Sequence, residues 1–135
     1  MYLVDTNIWL ELLLEQTNAD EVKQFLEQIP LALLSSTDFT LLSIGIIAVR
    51  EEKQEGYLKF VDDLLVKGAL STIRLNPRDL PSVLRTANSY KLDFDDAYQY
   101  VANEKQNLQL VSFDKDFDKT PRGRKTPAQI LATLK

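Results

Sequence analysis

The sequence predicts an α/β sandwich: a mostly parallel central sheet of four or five short strands flanked by helices. Short apolar runs at residues 2–4, 31–34, 71–75 and 108–112 alternate with longer stretches whose apolar residues recur at helical spacing. Such alternation is the pattern of strand–helix–strand units around a parallel sheet. Prolines and glycines punctuate the segments, and no internal repeat, low-complexity tract or linker breaks them. Residues 1–135 are therefore expected to form a single domain.

Tyr2, Leu3 and Val4 read as a buried strand that ends at Asp5. Thr6 or Asn7 can cap the helix that follows, with Ile8, Trp9, Leu12 and Leu13 inward and Glu11 and Glu15 outward. Thr17-Asn18 breaks it. Val22, Phe25, Leu26 and Ile29 then mark a helix over 20–29, stopped by Pro30. Residues 31–34 read as the second strand, and Ser36 or Thr37 caps a helix over 38–51. That helix is apolar on nearly all sides, so it is either central in the core or shared with a partner. Its Gly45 permits close approach of another helix. Tyr57, Phe60, Val61 and Leu64 mark an amphipathic helix that Gly68 ends. After the strand at 71–75, Leu80, Val83, Leu84 and Ala87 form a helical face. Its start lies at Pro77, or nearer Leu80 because Pro81 fits a first turn only loosely. An acidic helix over 94–105, a strand over 108–112 and a helix capped by Thr126 and opened by Pro127 complete the chain.

The chain has no cysteine and no histidine. Disulfides, thiolate chemistry, Ser-His-Asp catalysis and His- or Cys-ligated zinc are therefore excluded. Any metal must take oxygen ligands, which favours Mg2+ or Mn2+. The net charge of −4 means that nucleic acid would need a local basic patch or neutralising cations. Lys115, Lys119, Arg122, Arg124 and Lys125 form such a patch. No leader or membrane-spanning run is present, so a cytoplasmic location without membrane contact is expected.

Two acidic knots flank the helix and strand near the C-terminus: Asp93, Asp95 and Asp96, then Asp114, Asp116 and Asp118. In a parallel sheet, ligands bind beyond the carboxyl ends of the strands. Asp5, Asp38 and Asp114 each follow a strand, and Asp96 joins them from the first turn of its helix. Taken singly, most have an ordinary reading: Asp93 as a helix cap, Asp95 and Asp96 as dipole partners, Asp38 at a helix start, and Asp116 and Asp118 as solvated turn residues; Asp5, ending a buried strand, is less ordinary. Four converging carboxylates repel one another unless a cation sits among them. The chemistry such a cluster supports is metal-assisted hydrolysis of a phosphodiester.

The segments M-Y-L-V-D-T-N, L-D-F-D-D-A and V-S-F-D-K-D-F, in that order, resemble the PIN-domain family, above all the toxin subunits of VapBC-type toxin–antitoxin pairs. The resemblance implies a PIN-like three-layer sandwich and a Mg2+- or Mn2+-dependent endoribonuclease. It implies an antitoxin partner and a homodimer. Asp5, Asp96 and Asp114 match the family's acids, and Asp116 matches a frequent extra one. Ser112 and Asn7 match its small polar positions. With Arg122, Arg124 and Lys125 they are expected on the substrate side. The family's usual Glu, one turn into the helix after the second strand, is missing, and Asp38 is expected to stand in for it. That absence leaves a second reading open, a non-catalytic PIN module that binds protein or RNA. Two other acidic-pocket folds fit less well. A haloacid-dehalogenase-like phosphatase needs Asp where residue 7 is Asn, and a response-regulator receiver needs an Asp after the strand that here leads into Asn76-Pro77.

Overall fold

Leu3 and Val4 are neighbours in the first strand and face opposite ways, as successive strand residues must. Leu3 packs in a core with Leu75, Val83, Val101 and Leu110, and Val4 in another with Ile8, Val22, Ile44 and Val111. The sheet is thus covered by helices on both faces. In the computed structural model, which describes residues 1–134, its strands are β1 (Tyr2–Val4), β2 (Leu34–Thr37), β3 (Ser71–Ile73) and β4 (Gln109–Val111). They are parallel throughout, in the order β3-β2-β1-β4, with Leu3 opposite both Ser35 and Leu110.

The helices are α1 (Thr6–Leu13), α2 (Ala19–Gln28), α3 (Asp38–Arg50), α4 (Gln54–Phe60), α5 (Leu80–Tyr90), α6 (Phe94–Lys105) and α7 (Pro127–Ala132). Helices α5 and α6 cover the face of Leu3, while α1, α2, α3 and α7 contribute to the core around Val4. Among the described residues, no helix is long and apolar enough to cross a membrane. The strand order turns back at β1, whose neighbours are β2 on one side and β4 on the other. The carboxyl ends of β1 and β4 therefore form a switch-point crevice, tied by the Asp5 amide donating to the Val111 carbonyl at 2.9 Å.

Several elements differ from expectation. Residues 31–33 form a 3-10 turn after Pro30, and the second strand is the Ser/Thr-rich run Leu34–Thr37, buried throughout. Apolar content marked the wrong end of that segment: the strand buries small hydroxyl side chains, and its Thr37 hydroxyl pairs with Gln99 and caps α3. The α1 cap is Asp5 itself. Helix α3 buries only Thr40, Ile44 and Ala48, and exposes Leu42, Ile46 and Val49 at 68%, 62% and 64%. Of the two readings of this helix, the central-core one fails.

Two glycines are explained by close approach. A Cβ at Gly45 would meet the Tyr57 ring at 3.1–3.2 Å, where the Tyr57 hydroxyl donates to the Leu41 carbonyl. At Gly68 a Cβ would lie 2.6 Å from the carbonyl oxygens of Asp63 and Leu64, in the π-helical turn that continues α4. Gly68→Ala is therefore expected to destabilise the fold by about 1–3 kcal/mol, as overpacking does. Urea unfolding checks this, and an unchanged midpoint would count against the packing described.

Candidate functional site

Asp5 ends β1, caps α1 and is almost wholly buried. Its Oδ1 accepts from the Thr6 amide at 2.9 Å and from Gln99 Nε2 at 2.9 Å. Its Oδ2 accepts from Ser112 Oγ at 2.7 Å and, more weakly, from Asn7 Nδ2 at 3.3 Å. Those four donors match the lone-pair capacity of an ionised carboxylate. Burial raises the Asp5 pKa, the hydrogen bonds from Ser112, Gln99 and Thr6 oppose that rise, and the Asp114 charge adds to it.

Asp96, in the first turn of α6, shares the crevice with Asp114, at the end of the β4 segment. Carboxylate oxygens of Asp96, Asp114 and Asp116 all lie within 4.8 Å of one another. Asp114 is held by its amide donating to Ser112 Oγ at 3.0 Å and by its Oδ1 accepting from the Asp116 amide at 2.9 Å. The Asp96 pKa is pushed up to about 8, first by burial and then by the charges of Asp95, Asp5 and Asp114. Asp93 sits at the α6 N-cap but makes no capping bond, so the ordinary reading of it as a cap does not hold. Its carboxylate lies instead beside those of Asp95 and Asp96.

Asn7 and Ser112 orient this site. Ser112 Oγ touches both Asp5 and the Asp114 amide, while Asn7 bridges Asp5, Ser112 and the Phe113 amide. Together they join the ends of β1 and β4 by contacts 105–107 residues apart in sequence, one of them Ser112 to the Asp5 carboxylate.

Asp38 does not join them. Its Oδ1 accepts from the Tyr98 hydroxyl and the Phe39 amide at 2.8 Å each, and its Oδ2 lies 4.0 Å from Arg74. The face of α3 that lines the cleft is Phe39, Ser43, Ile46, Ile47 and Arg50. Asp38 is one residue off that stripe, about 100° round the helix, and turns towards the β3 side. The expectation that it replaces the missing Glu is corrected on this geometry. Ser43 and Arg50 are what α3 offers to the cleft.

The basic patch is also rearranged. Arg124 forks onto Asp118, with two contacts of 3.1 Å, and donates to the Ser112 carbonyl; its side chain is only 12% exposed. Arg122 donates to Asn107 Oδ1 and to the Leu108 carbonyl. Both guanidiniums fasten the 120–125 loop to the β4 edge, where Lys125 pairs by its backbone with Val111 and its side chain stays exposed. Arg122 and Arg124 thus tie this loop in place, and neither lines the acidic cleft. Ser43, Arg50 and Gln99, which binds Asp5, belong to none of the motifs in the sequence. Asp95, expected only to offset the helix dipole, lines the cleft. A polar residue four positions beyond Asp95 and three beyond Asp96 was the available signal for Gln99.

The cleft holds about 440 Å3 and is walled by Asp5, Asp95, Asp96, Asp114, Asn7, Gln99 and the α3 stripe. Oxygen-only donors at these separations, with mutual repulsion to relieve, fit a hard divalent cation. Asp5 lies outside the tightest trio and reaches the same cleft; its contact with Asn7 is the one a cation would most easily displace.

Among curated proteins, none matches the chain. Solved structures do. A toxin–antitoxin complex from Klebsiella pneumoniae matches with a TM-score of 0.74 at 23% identity, covering 94% of this chain and 98% of that one. Mycobacterium tuberculosis VapC20, described as a sarcin–ricin-loop-cleaving toxin, gives 0.74 at 15% identity over 87% and 93%. FitAcB from Neisseria gonorrhoeae gives 0.74 at 17% over 95% and 99%. At such identities the likeness is one of fold. The family model described as PIN domain matches residues 2–123, nearly the whole chain, and with the acidic crevice at the β1–β4 switch point it establishes that this chain belongs to the PIN domain family.

Proposed function

We propose that this protein is a divalent-metal-dependent endoribonuclease, the toxin of a VapBC-type toxin–antitoxin pair acting in the cytoplasm. The observation that carries the reading is the convergence of Asp5, Asp96 and Asp114 from three segments on one open cleft. Membership in the PIN family, whose members are nucleases, supports it. So do structural neighbours described as toxin–antitoxin complexes and as a toxin that cleaves the sarcin–ricin loop.

Asp96, Asp114 and Asp116 would hold Mg2+ or Mn2+, with Asp5 completing the charge. Such an ion, when bound, acidifies a coordinated water and offsets charge growing on a phosphoryl group. Ser112 and Asn7 keep Asp5 and Asp114 in register. Arg50, on the cleft wall, would meet an RNA phosphate. The test is cleavage of single-stranded RNA by the purified protein with Mn2+ or Mg2+. Cleavage should stop with EDTA and with Asp114→Asn, and persist with Asp38→Asn. Tight Mn2+ binding without any cleavage would support the alternative, a non-catalytic PIN module, which the lack of a cleft-facing acid on α3 favours.

The exposed Leu42, Ile46 and Val49 stripe fits the homodimer that the family resemblance implies. Leu42→Glu is expected to shift the sedimentation coefficient towards that of a monomer. A wild type that is already monomeric at high concentration would refute this part.

A further inference from the structure

Gln99 is buried at 2% exposure in the middle of α6, facing the crevice from below the acids. A buried amide is costly unless each polar atom is paired, and here each is. Nε2 donates to Asp5 Oδ1 at 2.9 Å and to Thr40 Oγ1 at 2.9 Å. Oε1 accepts from the Thr37 hydroxyl. The orientation follows from the chemistry of the neighbours. Ionised Asp5 only accepts, so the amide must turn its nitrogen to it, and the Thr37 hydroxyl must then donate to the oxygen. Thr37 also receives the Thr40 amide at 3.0 Å as the cap of α3, and Thr40 Oγ1 lies 2.8 Å from Thr6 Oγ1. The network therefore locks α1, β2, α3 and α6 around one oxygen of Asp5.

We propose that Gln99 is a positioning residue that aims the Asp5 carboxylate at the metal, its amide held in one orientation by Thr37 and Thr40. The proposal rests on the metal-nuclease reading and adds to it a residue 94 positions away in sequence from the acid it serves. Ser112 and Asn7 hold Oδ2, and among the described residues Gln99 is the one side chain that fixes Oδ1. Loss of such outer contacts commonly weakens metal affinity by about 10- to 100-fold.

The experiment is Mn2+ titration by calorimetry of the wild type, Gln99→Met, Asp5→Asn and the double variant, with melting temperatures recorded for each. Methionine keeps the length and removes the donor. Gln99→Met is expected to weaken Mn2+ by about tenfold or more, and to cost nothing further in the Asp5→Asn background, where no charge remains to be aimed. Thr37→Val, which frees Oε1, should shift the affinity in the same direction by less, and keeps the idea testable if Gln99→Met unfolds. Wild-type affinity in both Gln99→Met and Thr37→Val would overturn the inference, as would an equal loss with and without Asp5. A wild type that binds no Mn2+ would remove the nuclease reading and this inference together.

Discussion

Replacing Asp96 with Asn should lower Mn2+-dependent RNA cleavage by about 10^3-fold, the scale on which loss of one preorganised electrostatic group acts. The same change should raise the melting temperature of the metal-free protein. Asp96 sits half-buried among Asp95, Asp5 and Asp114, and its carboxyl is pushed up to about 8 by burial and by those charges. Asn keeps the shape and removes the repulsion. In a chain of this size, 1 kcal/mol corresponds to about 4 °C, so a gain of several degrees is within reach of a melting scan. Loss of cleavage together with gain of stability separates a functional acid from a structural one. If Asp96→Asn were less stable than the wild type, the carboxylate would have to be holding the fold, and the site would need a different account.

Metal and pH should act on stability together. For Asp96 the folded pKa lies above the unfolded one, so the native state binds more protons than the unfolded state between about pH 4 and pH 8. Stability from this group is therefore full below about pH 4 and is lost as pH rises towards 8. Asp5, also raised by burial, acts in the same direction. Asp79 is shifted downward, chiefly by its hydrogen bond from Lys105, and its effect falls at the acid end, outside this window. Without a divalent ion the melting temperature should decline from pH 5 to pH 8. At 100 times its dissociation constant an ion adds about 2.7 kcal/mol, or roughly 10 °C on the same conversion. The increment should be largest near pH 8, because binding must displace protons at lower pH. Melting scans at pH 5, 6.5 and 8, with Mn2+ and with EDTA, measure this. An increment that does not grow with pH would mean that the ion does not bind at Asp96.

The three-layer class, the parallel sheet and the convergence of Asp5, Asp96 and Asp114 are written in the order of residues along the chain. These follow from strand ends and helix starts, which local chemistry marks: short apolar runs stop at acids, and the β1 and β4 carboxyl ends must share an edge once the sheet is parallel. It took the packed fold to turn Asp38 to Tyr98, to tie a loop down with Arg122 and Arg124, and to set Gln99 against Asp5. A single step along a helix rotates a side chain by about 100°, so a lone acid near a helix start can face the cleft or miss it with no change in pattern. A charged or amide group takes whichever partner the packed fold brings near, and for Gln99 that partner lies 94 residues away. Composition likewise could not separate the buried and exposed faces of α3, because apolar side chains stand on both and only its neighbours choose between them.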